Sequence, residues 1–279
     1  RAWRFGGDSY VLVVNPDPKP VKAKLKLSES FAQARLEAGC GLKLSGTNEI
    51  DVDFGPIGYG VLHLSDAAPR LFFAGDSLLA KRKDGIKGSW GDALAPRLAN
   101  GFKAVNVAKG GMSTRTYRNN GYWDEIMALG REGDHVIISF GHNDSSLHRP
   151  DRAVVPEVYT RNLIRFAEEV RGKGMKPVFV TSVATGTFNK DGSYRDQRNL
   201  AAYSDAMKRA AAEAKVPLVD LLAPTMAEVK ALGKEKSKAL YMASVNGKDF
   251  THTTAAGAKR VAELFIKAAE GKGLPFLAR

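Results

Sequence analysis

A single cysteine, Cys40, stands among 279 residues, which excludes an internal disulfide and any metal centre built on several thiolates. It reads as a small buried residue, the usual place of a free thiol. No apolar run approaches the ~18 to 20 residues of a membrane-spanning helix. With 44% hydrophobic and 26% charged residues, the composition is that of a globular chain, and no membrane partner is expected. No two histidines fall at ligand spacing and no His-Glu-x-x-His occurs, so no metal is expected. The glycine spacings of dinucleotide and P-loop sites are missing too, so no cofactor is expected. The absence of Gly-x-Ser-x-Gly argues against the nucleophile elbow of the α/β-hydrolases. Arg1-Ala2-Trp3-Arg4 does not open a signal peptide, and there is no initiator methionine, so the chain is expected to be processed or cut from a longer parent.

What is present is positive charge, and it is uneven. The net charge is +12. Residues 1–69 balance eight basic against eight acidic side chains, so the remaining 34 basic and 22 acidic residues carry all of it. That points to an acidic partner. No helix-turn-helix, zinc finger or RNA-binding signature accompanies the charge, so nucleic acid is not expected; an acidic polysaccharide accounts for it.

Residues 1–66 read as a small all-β domain. Ser9-Tyr10-Val11-Leu12-Val13-Val14 is apolar and β-branched, and Val21-Lys22-Ala23-Lys24-Leu25-Lys26-Leu27 alternates as a half-exposed strand does. Further strands are expected around residues 41–44, 49–54 and 60–64. Gly7-Asp8-Ser9 precedes a strand and reads as a turn. Asp51 and Asp53 read as an exposed strand face. The segment resembles, loosely, the small β-sandwich found at the C-terminal end of several glycoside hydrolases, and such a module acts as a spacer or a sugar binder.

From residue 70 to residue 279 strand and helix patterns alternate, the mark of βαβ units and a parallel sheet. Strands are expected at 70–74, 104–108, 134–140, 176–182 and 217–220, and helices near 90–100, 122–130, 156–173, 194–214, 225–232 and 253–269. The fold class is therefore α/β: a three-layer α/β/α, flavodoxin-like, five-stranded parallel sheet, preceded by the small β-sandwich-like domain. In such a sheet ligands bind beyond the carboxyl ends of the strands.

The first of those strands, Leu71-Phe72-Phe73-Ala74, runs into Gly75-Asp76-Ser77. A serine needs a base to take its proton and donors for the oxyanion. The later stretches Lys109-Gly110-Gly111-Met112, Gly141-His142-Asn143-Asp144 and Asp249-Phe250-Thr251-His252-Thr253 carry candidates for both. Together the four blocks resemble the GDSL or SGNH hydrolase family. With Trp90-Gly91-Asp92 they resemble most its rhamnogalacturonan acetylesterase branch, apart from Met112, where that branch has arginine. The resemblance implies Ser77 as nucleophile, His252 as base and Asp249 as the acid orienting it. The oxyanion hole would be Ser77, Gly111 and Asn143.

Asp76 reads as an acceptor tying the turn's amides. His142 follows a strand with no acid at helpful spacing, so it reads as packing or turn; with Trp90 and Arg115 it is kept as a substrate-binding candidate. His63, His135 and His148 read as structural or solvated. Lys81, Arg82, Lys83, Lys109, Arg149 and Arg152 also flank the motifs, where arginine can grip a uronate carboxylate through paired bonds. The expected activity is removal of acetyl esters from an acidic plant cell-wall polysaccharide. Acetylxylan, small acyl esters or acyl-lipids are alternatives, as is a binding protein with a vestigial site. Such a substrate implies a secreted or periplasmic location. A histidine base ordinarily titrates near ~6.5, so activity should fall on the acid side.

Overall fold

The computed structural model describes residues 1–5, 8–31, 33–65, 68–82 and 85–278. The chain divides into two compact units, Arg1–Ala68 and Pro69–Arg279.

Among the described residues the first unit holds seven strands: β1 (Ala2–Phe5), β2 (Asp8–Val14), β3 (Val21–Lys26), β4 (Gln33–Gly39), β5 (Leu42–Ser45), β6 (Glu49–Phe54) and β7 (Tyr59–Ser65). They form two antiparallel sheets, ordered β1-β2-β7-β4 and β3-β6-β5. Leu42, Ile50, Val52, Phe54, Leu62 and Leu64 make a small core, the alternate side chains of β6 and β7 supplying five of its six members.

Two of these strands escaped the sequence reading. β4, Gln-Ala-Arg-Leu-Glu-Ala-Gly, is exposed at every position; its pairing with β7 makes it a strand against its helix-like composition. β1 is a four-residue strand held by β2. β3 was expected half-exposed, but it lies at a sheet edge and even Leu25 is exposed. Asp51 and Asp53 face Lys24 and Lys22 in cross-strand ion pairs. Of the early Gly-Asp-Ser, Gly7 lies outside the described residues, while Asp8 and Ser9 open β2. Cys40, expected buried, is exposed: it turns the chain between two glycines at positive φ, Gly39 and Gly41, and its N–H donates to the Tyr59 carbonyl at 3.0 Å.

In the second unit the strands are β8 (Arg70–Gly75), β9 (Lys103–Asn106), β10 (His135–Ser139), β11 (Lys176–Val180) and β12 (Leu218–Val219). The helices are α1 (Trp90–Leu94), α2 (Thr114–Asn119), α3 (Tyr122–Leu129), α4 (Pro156–Gly172), α5 (Leu200–Glu213), α6 (Leu222–Ser237), α7 (Ala243–Asn246) and α8 (Ala255–Ala268). All neighbouring strands pair in parallel, in the spatial order β9-β8-β10-β11-β12. Counted along the chain this is 2-1-3-4-5, the flavodoxin-like order, whose direction reverses between β8 and β10. The two central strands are buried along their whole length, as a sheet covered on both faces requires. On one face Tyr117, Trp123, Phe166 and Met207 from α2, α3, α4 and α5 pack against Phe72, Val136 and Ile138. On the other, Trp90 of α1 and Val261 and Phe265 of α8 pack against Leu71, Phe73 and Ile137.

Helix α4 follows a plain rule: Pro156 occupies the first turn, and Tyr159, Leu163, Phe166, Ala167 and Val170 make one buried stripe. Helix α5 begins at Leu200, six residues later than expected. Tyr194 bridges to Phe188, and the Asp196 carboxylate accepts from the Leu200 and Ala201 N–H groups at 2.9 Å each. Helix α2 was not expected; Ser113 and Thr116 cap it reciprocally. Among the described residues no helix is long and apolar enough to cross a membrane, and no group of three or more His, Cys, Asp or Glu is placed to hold a metal.

Candidate active site

The switch between β8 and β10 is where loops can splay apart and leave a crevice. Ser77 follows β8 in a tight turn knotted by Asp76. The Asp76 carboxylate accepts from Leu78 N–H at 3.0 Å, and its carbonyl accepts from Leu79 and Ala80 N–H. Leu78, Leu79 and Ala80 then run into the core, so the turn is anchored on both sides of the serine. Burial pushes the Asp76 carboxyl from 3.8 up to about 6, against hydrogen bonds from Leu78 and His142 N–H and the charges of Arg198 and Arg82.

His252 reaches the same point from the loop ahead of α8. Gly88 N–H donates to the Thr253 carbonyl at 2.8 Å, and the Thr254 side chain caps α8 by accepting from Gly257 N–H. Between these anchors the imidazole Nε2 lies 2.9 Å from Ser77 Oγ, and Nδ1 lies 2.8 Å from Asp249 Oδ2. A carboxylate only accepts, so Nδ1 carries the hydrogen and Nε2 offers its lone pair to the serine hydroxyl. Asp249 also accepts from Thr251 and His252 N–H at 3.1 and 3.0 Å. Burial opposes its charge, but these bonds, the imidazole and Thr251 outweigh it and hold the carboxyl below its ordinary value.

Two further loops carry the remaining candidates, Gly111 and Asn143. Gly111 has φ +80°, a left-handed conformation that glycine adopts without strain. A Cβ added to its neighbour Gly110 would sit 3.8 Å from Ser77 Cβ, so this backbone passes against the serine. Gly141, at φ +142°, turns the chain off β10 where a Cβ would strike Ser182 Oγ at 2.2 Å. Asn143 follows; its Nδ2 donates to the Met112 carbonyl at 3.0 Å, which leaves the second N–H of that amide. The N–H groups of Ser77 and Gly111 find no acceptor among the described residues. The Gly110 backbone thus passes against Ser77, Asn143 is tied to the residue after Gly111, and the Ser77 hydroxyl has an acceptor in His252 Nε2.

Two of the three substrate-binding candidates are corrected by burial. Trp90, 2% exposed, is wedged between Phe73 and Phe265 at ring distances of 6.3 and 5.3 Å; its backbone N–H donates to the Leu78 carbonyl, and its ring presents no face to a ligand. His142, 3% exposed, lies 2.8 Å from the Val183 carbonyl through Nε2, which must therefore carry the hydrogen. Burial, with the Arg198 charge, pushes it down to about 3, so it is a neutral packing residue. Arg115 donates to the Pro150 carbonyl at 2.6 Å.

The other basic side chains divide. Arg82 donates to the Ser77 carbonyl, Lys109 sits 5.3 Å over the Tyr122 ring, and Arg149 pairs with Asp151. Lys83 lies outside the described residues. Two arginines bond directly to the third motif block, Arg152, which flanks it in sequence, and Arg198, which the sequence did not single out. Arg152 donates to Asn143 Oδ1 at 3.1 Å. Arg198 donates to the His142 carbonyl and to Ser146 Oγ at 3.0 and 2.9 Å; lying 55 residues past Asn143, it gave no signal in the sequence.

Residues 73–277 match the model of the GDSL-like Lipase/Acylhydrolase family. The chain belongs to that family. It is 35% identical over 217 residues to the rhamnogalacturonan acetylesterase RhgT of Bacillus subtilis (strain 168), covering 74% of this chain and 91% of the relative. It is 32% identical over 210 residues to a second protein of that strain, named probable rhamnogalacturonan acetylesterase YesY, covering 75% and 95%. The crystal structure of B. subtilis protein YxiM superposes with a TM-score of 0.67 at 21% identity, over 97% of this chain and 82% of that one, a likeness of fold.

Proposed function

We propose that this family member is a serine carbohydrate O-acetylesterase acting on an acetylated plant cell-wall polysaccharide of the pectin type, rhamnogalacturonan foremost. The observation that carries the reading is the unbroken chain from Asp249 through His252 to Ser77, at 2.8 and 2.9 Å. Ser77 Oγ attacks the acetyl carbonyl as its proton passes to Nε2; the C–O bond to the sugar then breaks and the proton leaves with the sugar hydroxyl. Water, deprotonated by the same imidazole, releases acetate from the acetyl-serine and returns the proton to Oγ. During both steps the Ser77 and Gly111 amides and the free N–H of Asn143 hold the oxyanion.

The names of the relatives support the pectin-type substrate, and so does the positive charge confined to residues 70–279. Such a substrate goes with a secreted or periplasmic enzyme. Residues 1–66 are read as an accessory domain akin to the small glycosidase β-sandwich. The test is acetate release from acetylated rhamnogalacturonan and from acetylxylan, by the wild type and by Ser77→Ala. The expected result is faster release from rhamnogalacturonan and a loss on the order of 10⁶-fold in kcat for the variant, the scale of triad-serine removal. Faster release from xylan would move the substrate, and an active Ser77→Ala enzyme would remove the mechanism.

A further inference from the structure

The geometry points to Arg152 as a positioning residue for this reaction, one that fixes the Asn143 amide so that its N–H, rather than its oxygen, faces the developing oxyanion. The inference rests on the esterase reading above. A side-chain amide can occupy the same space in two orientations, and only one serves an oxyanion hole: the flipped one would present a carbonyl oxygen to a negative charge. Asn143 is locked at both ends by partners of opposite chemistry. A guanidinium has five N–H groups and no acceptor, and a backbone carbonyl has no donor. Arg152 Nη1 lies 3.1 Å from Oδ1, and the Met112 carbonyl lies 3.0 Å from Nδ2. Flipping the amide would set NH₂ against guanidinium and oxygen against oxygen. The bond to Oδ1 is also charge-assisted, and a positive donor there polarises the amide toward giving up its remaining N–H.

Arg152 is built into this place. Its side chain is 23% exposed, against 51% for Arg149 on the same loop. The loop closes on Asp144, whose carbonyl accepts from Val154 N–H at 3.1 Å, and Val154 is buried. The Val154 carbonyl in turn accepts from the Tyr203 hydroxyl at 2.6 Å. Asp151 Oδ2 takes the Nε hydrogen at 3.3 Å. Nη1 also lies 3.6 Å from where a Cβ on Gly111 would stand, so one guanidinium abuts both donor loops. Arg115, the arginine kept as a substrate-binding candidate, is instead tied to the carbonyl of Pro150.

The experiment measures kcat and KM on p-nitrophenyl acetate, a neutral substrate, for Arg152→Met, Arg152→Lys, Asn143→Ala and the Asn143→Ala/Arg152→Met double variant, with Ser77→Ala alongside. Removing one oxyanion donor costs on the order of 10² to 10³-fold in kcat, which is expected of Asn143→Ala. Arg152→Met should lose about 10 to 10²-fold in kcat with KM within about twofold, and Arg152→Lys, which keeps a charged donor, should recover part of the loss. The double variant should be no slower than Asn143→Ala, because the arginine acts through the asparagine. A double variant slower by the full Arg152→Met factor would overturn the proposal. So would a change in KM alone, or a loss confined to acidic substrates, which would make Arg152 a direct carboxylate clamp. Should Arg152→Met fail to fold, the Arg152→Lys kinetics on both Asn143 backgrounds decide the same question. Full activity in Ser77→Ala would sink the esterase reading itself; with Ser77→Ala inactive, every Arg152 outcome bears on this proposal alone.

Discussion

Strands β8 and β10 hold charge at both ends, and the two ends treat it in opposite ways. Where the strands begin, Arg70 and Asp134 are 2% and 1% exposed, and the carboxylate accepts on both oxygens. Its Oδ1 accepts from Arg70 N–H at 2.9 Å. Its Oδ2 accepts from Arg70 Nε and Nη2 at 3.0 and 2.7 Å and from Arg131 N–H at 3.0 Å. Where the strands end, hydrogen-bonding capacity is left over among the described residues: two backbone N–H groups, one side-chain N–H and a serine hydroxyl 2.9 Å from an imidazole nitrogen. A buried pair hydrogen-bonded on both carboxylate oxygens fastens two strands. A cluster with valences in reserve is poorer as structure and ready for a substrate.

The contrast breaks most visibly by mutation at each end. Asp249→Asn should keep the loop, since an amide oxygen can still accept from Thr251 and His252 N–H, yet it favours the wrong imidazole tautomer. The expected loss is on the order of 10⁴-fold in kcat with the melting temperature nearly unchanged. A loss below tenfold would mean that His252 is oriented by something else. At the other end Asp134→Ala should cost about 3 to 5 kcal/mol of stability, because it strips a buried guanidinium of its carboxylate. The kcat of the remaining folded fraction should hold. Denaturant titration beside active-site titration separates the two quantities, and equal damage to both would mean that the ends are not independent.

Sequence reveals these regions unequally, and the reason is physical. Parallel strands covered on both faces must be continuously apolar, so Leu71-Phe72-Phe73-Ala74 and Val136-Ile137-Ile138 declare themselves. The site blocks declare themselves too, because tight turns next to reacting atoms demand glycine, serine and asparagine in short order. What local sequence does not encode is where a long or large side chain ends. Trp90 sits amid motif residues yet points into the core, because α1 packs its ring between Phe73 and Phe265. Arg152 and Arg115 look alike on paper, and loop closure at Val154 sends only the first to Asn143. β4 is likewise a strand because β7 needs a partner, and nothing in its own seven residues says so.

The smallest effect tests whether the site end also bears the cost of a charge it cannot satisfy. Asp144 is fully buried. Its Oδ1 accepts from Thr114 N–H and Oγ1 at 2.9 and 2.6 Å, while Oδ2 has no partner among the described residues. Burial pushes its carboxyl from 3.8 up to about 7, with Asp76 adding repulsion, and the Thr114 bonds only partly offset this. The folded state therefore keeps a proton that the unfolded chain has released. That contribution to stability is full below about pH 4 and is lost as pH climbs through about 7. Asp144→Asn is nearly isosteric, retains both Thr114 bonds and cannot ionise. Its melting temperature relative to the wild type should therefore rise steadily from about pH 5 to about pH 8. A difference between Asp144→Asn and wild type that stays constant across that range would show that the buried carboxylate finds at the site end the partners that Asp134 has at the other.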